Sequence, residues 1–181
     1  MSVLSASGFL SPQQADEYSN ALLNLLGTRD PLEVLRETPD LLREELGRFG
    51  PGEVRIPEAP GKWSAATMLA HLSDSELVGA FRLRLILAQD RPPLTPYDQD
   101  RWAGRLHYQR ASPEQSLERF TVLRRANLLL WDEASEDELV RVGIHGERGE
   151  ESVDRMRRLF AGHDLAHRRQ LVRIRTAVSG R

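Results

Sequence analysis

Apolar side chains recur every three or four residues along most of this 181-residue chain, and strict alternation is almost absent, so the pattern predicts helices rather than strands. Ser11 before Pro12 is a capping hydroxyl followed by proline at the first helical position. It opens a helix over 12–26 with Ala21, Leu22, Leu25 and Leu26 on one face. Asp30 and Pro31 repeat that device for a shorter helix, which Pro39 is expected to interrupt before a further helical piece ends near Gly47. Residues 49–62 (FGPGEVRIPEAPGK) are dense in glycine and proline and read as an irregular connection. Ser64 caps a second long helix over 64–89 through Met68, Leu72, Val78, Leu85 and Ile86, and the proline-rich RPPLTPYDQDRWAGRLHY follows. Ser112 and Pro113 open a third, carrying Leu117, Phe120, Val122, Leu123, Leu128 and Leu130 to Trp131. After a short SEDELV turn and the loop RVGIHGERGE, a fourth runs over 151–178. The expectation is one all-α domain over 1–181, a four-helix bundle. The connections before helices two and three are too long for tight hairpins, so at least one crossover is expected.

Composition narrows the chemistry. With no cysteine, disulfides, thiolate metal sites and a cysteine nucleophile are excluded, and five histidines are left as ligands and bases. A net charge of -2 and a pI near 6.2 argue against general polyanion binding. The opening MSVLSASGFL lacks the basic start and apolar run of a leader, and no stretch approaches the roughly eighteen apolar residues of a membrane span. A soluble, cytoplasmic protein is expected. Charge is uneven, at -5 over 113–151 and +6 over 152–181. Arg155, Arg157, Arg158, Arg168, Arg169, Arg173 and Arg175 read as a solvated face across from acidic neighbours. They lack the interleaved aromatics of a nucleic-acid surface.

In the fourth helix the inward positions are Val153, Met156, Phe160, His163, His167, Gln170 and Ile174, so two histidines interrupt an apolar stripe. Residues four apart lie about 40° apart around the axis and about 6 Å along it, so both rings can converge on one ion. His71 holds the inner side of the second long helix, between Met68 and Ser75. Three imidazoles from two facing helices could form a metal site with positions left open for water or substrate. Asp74, Glu76 and His145 are candidate catalytic groups, against a plainer reading of the two acids as surface carboxylates pairing with arginines such as Arg82 and of His145 as a loop residue. Tyr97, Asp98, Asp100, Trp102 and Arg148 are candidate substrate contacts, Trp63 and Trp102 read as packing aromatics, and His107 as a surface residue.

The segments GKWSAATMLAHLSDSE, PYDQDRWA, HGERGEES and HDLAHRRQL, in that order over about residues 32–174, resemble the DinB-like superfamily, in its YfiT-type metal-dependent hydrolase branch. The resemblance implies an up-up-down-down four-helix bundle, a homodimer, and a divalent metal held by three histidines matching His71, His163 and His167. Many relatives read HDxHH where this chain has Ala166 before the last histidine. Relatives include thiol transferases that use bacillithiol or mycothiol. Three functions stay open: a transferase activating a low-molecular-weight thiol against a small-molecule substrate, a hydrolase using metal-activated water, or a non-enzymatic stress-response bundle with a structural metal. Imidazole ligands suit zinc or nickel, and also iron.

Overall fold

The computed structural model describes residues 9–179, so most of the opening segment read above for a leader lies outside the described range. The elements are α1 (Pro12–Leu26), α2 (Pro31–Leu46), α3 (Ala65–Ala88), β1 (Pro93–Leu94), α4 (Gln99–Arg105), α5 (Pro113–Glu133), α6 (Glu136–Leu139), β2 (Val142–His145), β3 (Gly149–Ser152) and α7 (Val153–Val178). Among the described residues seven helices start on a side-chain cap: Ser11, Asp30, Ser64, Asp98, Ser112, Ser135 and Ser152 each accept a backbone N–H of the first turn. The fourth long helix thus begins at Val153, two residues later than expected. Among the described residues no helix is long and apolar enough to cross a membrane.

α2, α3, α5 and α7 pack as a four-helix bundle, with α1 laid against α7. One apolar cluster joins Leu42, Met68, Leu72, Leu117, Phe120, Ile174 and Val178. The other joins Val34, Leu35, Leu83, Ile86, Trp131, Val153 and Met156. Each cluster combines an early part of one pair of helices with a late part of the other, so α2 and α7 run one way and α3 and α5 the other. The order along the chain is therefore up-down-down-up, which corrects the up-up-down-down order implied by the resemblance. The parallel step from α3 to α5 is the crossover that the long 89–112 connection supplies.

Pro39 does not interrupt α2, which is continuous through it. Proline removes the amide that would bond the carbonyl four residues back, and here Arg124 of α5 donates its Nη1 to that Leu35 carbonyl at 3.0 Å. The loop RVGIHGERGE is instead an antiparallel hairpin of β2 and β3, with Val142 opposite Ser152 and His145 opposite Gly149. β1 adds parallel to β2, Leu94 opposite His145, giving the order β1-β2-β3. The SEDELV turn is α6, and the 89–112 connection contains α4. On α5 the buried face is Leu117, Phe120, Arg124, Asn127 and Trp131, while Val122 is exposed.

Two glycines set helix approach. A Cβ on Gly79 of α3 would stand 2.2 Å from the Phe160 ring of α7, and one on Gly162 would stand 2.3 Å from the Leu22 carbonyl oxygen of α1. Gly79 lets α7 come close to α3 two turns beyond His71. The arginine face of α7 is answered by acids: Arg168 by Glu37, Arg175 by Glu45, Arg173 by Glu58 and Arg157 by Asp154.

Candidate metal centre

His71 from α3 and His163 and His167 from α7 come together where those two helices face each other. His71 is buried and the other two are partly buried. His163 Nε2 stands 3.3 Å from His71 Nε2 and 3.0 Å from His167 Nε2. An ion bonded to imidazole nitrogens at about 2.0–2.1 Å in tetrahedral or octahedral array separates neighbouring nitrogens by roughly 2.9–3.4 Å, so both spacings match a first coordination shell. His167 Nδ1 faces Gln170 Oε1 at 2.7 Å. That oxygen accepts only, so the ring carries its proton on Nδ1 and presents a lone pair from Nε2 toward the other two.

Burial holds the His71 and His163 rings well below the usual histidine range, reinforced by neighbouring histidines, and pushes His167 down to about 4. The imidazoles are therefore neutral at pH 7. Three neutral rings with convergent ring nitrogens leave more acceptors than protons at the centre, and a cation resolves that excess. The donor set and spacing fit a divalent ion.

Gln170 lies three residues past His167 on the same stripe, where a polar residue was visible in the sequence. Gln170→Ala is expected to weaken metal binding about 10–100-fold with the three imidazoles intact, read by competition with a chromophoric chelator. Unchanged affinity would remove Gln170 as the group that orients His167.

Two cavities flank the cluster. The first, of about 130 Å³, is lined by His71 and His163 with Ser19, Ser75, Arg82, Tyr97 and Arg148 among others. The second, of about 250 Å³, is lined by His163 and His167 with Trp63, Lys62, Asp100, Gln170 and Arg173 among others. Tyr18 and Gln99 line both. Burial raises the Tyr18 phenol to about 12, so it is a neutral hydroxyl at the junction.

Of the other candidates, Tyr97 and Arg148 reach the first cavity and Asp100 the second. Asp98 caps α4 by accepting the Arg101 amide at 2.9 Å, and Trp102 stacks on Tyr97 with ring centroids 4.5 Å apart. Neither Asp98 nor Trp102 lines the two cavities. Trp63 packs against His71 with ring centroids 5.0 Å apart, and His107 is exposed. Asp74 is not a free surface acid, since Tyr108 donates its hydroxyl to Oδ2 at 2.6 Å. Glu76 is not one either. It is 1% exposed and paired with Arg124, not with Arg82. Sequence reasoning missed Tyr18 and Ser19, because α1 reads as an ordinary amphipathic helix.

His145 is buried on β2, and its Nδ1 accepts the amides of Glu147 at 3.2 Å and Arg148 at 3.4 Å, which shapes the hairpin turn beside the first cavity. Burial, then Arg148 and Arg82, push it down to about 3. A base depressed in the folded state binds its proton more readily when unfolded. Its contribution to stability is thus complete above about pH 6.5 and is lost as pH falls from there toward 3. The loss from this group between pH 7 and pH 5 is about 2 kcal/mol. His145→Asn keeps an acceptor and is expected to flatten that part of the pH dependence in urea unfolding at the two pH values. An unaltered dependence would show that His145 does not carry it.

A family model for the DinB superfamily matches residues 34–171, and the chain belongs to that superfamily. A protein of Bacillus licheniformis is 27% identical over 143 residues, 79% of this chain and 77% of its own length. One of Oceanobacillus iheyensis is 24% identical over 151 residues, 83% and 84% of the two chains. Both bear the name "putative metal-dependent hydrolase". The structure of YfiT from Bacillus subtilis, described as a probable metal-dependent hydrolase with an unusual four-helix bundle topology, matches at a TM-score of 0.72. Its identity is 21%, over 93% of this chain and 91% of that one.

Proposed function

We propose that the protein is a metal-dependent transferase in which His71, His163 and His167 hold a divalent cation, zinc or nickel, and the nucleophile is a low-molecular-weight thiol of the bacillithiol or mycothiol type. The observation that carries transfer over hydrolysis is the state of the candidate bases. Asp74 accepts from Tyr108, Glu76 is locked to Arg124, and His145 serves two backbone amides. None is held ready to take a proton from water beside the histidines. A bound divalent ion supplies the acidity that turns a thiol into a thiolate near neutral pH. The chain has no cysteine of its own, so that thiol comes from outside.

The residues do the rest. The two cavities on either side of His163 provide separate places for thiol and acceptor, and Trp63 and Phe160 keep their walls partly apolar. With a chlorinated acceptor, the carbon–sulfur bond forms as chloride leaves, and the thiol proton goes to solvent. A cytoplasmic setting, where such thiols are kept reduced, fits this reading. The relatives' name favours hydrolysis as the second reading. The test is turnover of a fluorogenic chlorinated acceptor by metal-replete protein with bacillithiol or mycothiol. Thiol-dependent turnover is expected. Ester hydrolysis without any thiol, and no turnover with one, would replace transfer by hydrolysis.

A homodimer belongs to the same proposal. Leu77 and Phe81 on α3 and Val122 and Leu129 on α5 are exposed apolar side chains on neighbouring helices that a second copy would cover. Sedimentation equilibrium at the monomer mass across micromolar concentrations would remove the dimer without touching the metal site.

A further inference from the structure

Four buried side-chain polar atoms among the described residues have no hydrogen-bond partner: Ser19 Oγ, His71 Nδ1, Arg82 Nε and Trp131 Nε1. The first three belong to residues that line one cavity, the first of the two beside the histidines. Buried polar groups are ordinarily satisfied, so a concentration of orphans around a single cavity marks a place where a polar ligand completes the bonding. Arg82 is the telling member. It is 7% exposed, and its Nη2 donates to the Thr95 carbonyl, which fixes the guanidinium plane while leaving Nε–H unused.

The acids nearby are already engaged. Glu151 accepts from Arg148 Nε at 2.6 Å, and Glu147 accepts the Leu10 amide at 2.8 Å. The two arginines and two glutamates on the wall cancel formally, so a divalent ion on the histidines makes the cavity cationic. The remaining wall includes Leu22, Leu159 and Phe160, which suit an apolar tail.

We propose that this cavity seats the carboxylate of a small organic acid substrate, with Arg82 Nε–H and the Ser19 hydroxyl as donors and the apolar tail against Leu159 and Phe160. The two oxygens of a carboxylate match the two unused donors, Arg82 Nε–H and the Ser19 hydroxyl, one each, whereas a phosphate would bring further oxygens that these donors leave unpaired. The assignment deepens the metal-site reading above and rests on it for the charge of the cavity, but the two donors are present with or without the ion.

The test is calorimetric titration of butyrate into the full chain, metal-loaded and metal-free, with butanol and inorganic phosphate as comparison probes. Butyrate is expected to bind the loaded protein at least about tenfold more tightly than either comparison probe. Arg82→Gln is expected to weaken butyrate about tenfold or more and Ser19→Ala a few-fold, both at wild-type metal content. Butyrate affinity unaltered by Arg82→Gln, no butyrate binding to fully loaded wild type, or tighter binding of phosphate would each overturn the proposal. Should Arg82→Gln not fold, Ser19→Ala decides, and an unaltered affinity there overturns it. Wild type that takes up no metal would sink the metal reading alone. The metal-free titration then decides this one, since butyrate binding sensitive to Arg82→Gln supports it and no binding overturns it.

Discussion

Replacing Arg124 by methionine is expected to destabilise the fold by about 3–5 kcal/mol, a large part of the roughly 5–15 kcal/mol that holds a domain of this kind together. Arg124, Glu76 and Asp164 are each 1% exposed. The guanidinium donates Nε and Nη2 to Glu76 at 3.1 and 2.9 Å, Nη1 and Nη2 to Asp164 at 2.5 and 3.0 Å, and Nη1 to the Leu35 carbonyl. All five of its N–H donors are used, and they tie α5 to α3, α7 and α2 at once. Methionine keeps much of the volume but strands two buried carboxylates and the carbonyl that Pro39 cannot serve. Urea unfolding followed by circular dichroism should show the midpoint fall by about 1–2 M. Pro39→Ala returns an amide for the Leu35 carbonyl and should therefore recover more stability in the Arg124→Met background than in wild type, by about 1 kcal/mol in a double-mutant cycle. A loss under about 1 kcal/mol for Arg124→Met would mean that this network does not hold the bundle together.

Loss of the metal on His163→Ala is the second large effect. His163 is the middle histidine of the three, since its Nε2 is the atom within 3.3 Å of both others. Protein purified without a metal column should carry about one divalent ion per chain by elemental analysis, and His163→Ala at most about a tenth of that. A ligand present at about 100 times its dissociation constant stabilises the fold by about 2.7 kcal/mol. A strong chelator should accordingly lower the wild-type unfolding midpoint by roughly 5–10 °C and leave the variant's unmoved. Activity in the thiol assay should disappear with the metal. Equal metal content in variant and wild type would place the ion elsewhere and end the three-histidine assignment.

Much of this was legible in the chain itself. The caps at Ser11, Asp30, Ser64 and Ser112 and the spacing of apolar residues determined the long helices, apart from the cap of the fourth at Ser152, because both act within a turn or two. The same periodicity put His71, His163, His167 and Gln170 on inward faces, which is why the cluster could be anticipated. Less visible was what depends on a partner far away in sequence. Pro39 reads as a helix breaker until Arg124, 85 positions on, supplies the missing donor. Glu76 reads as a surface acid until α5 places the same arginine against it, although Arg124 and Asn127 on the stripe of Leu117, Phe120 and Trp131 were a sign that polar groups are buried there. The 141–152 segment reads as a loop because four-residue strands carry too little alternation, and its sheet exists because β1 and the bundle end cover it. Local periodicity determined which residues face inward. Only the tertiary structure decided which inward polar groups satisfy one another, as the Arg124 set does, and which, as with Ser19 and Arg82, have donors left over around a cavity, because the cost of burying a polar atom depends on neighbours that no local pattern names.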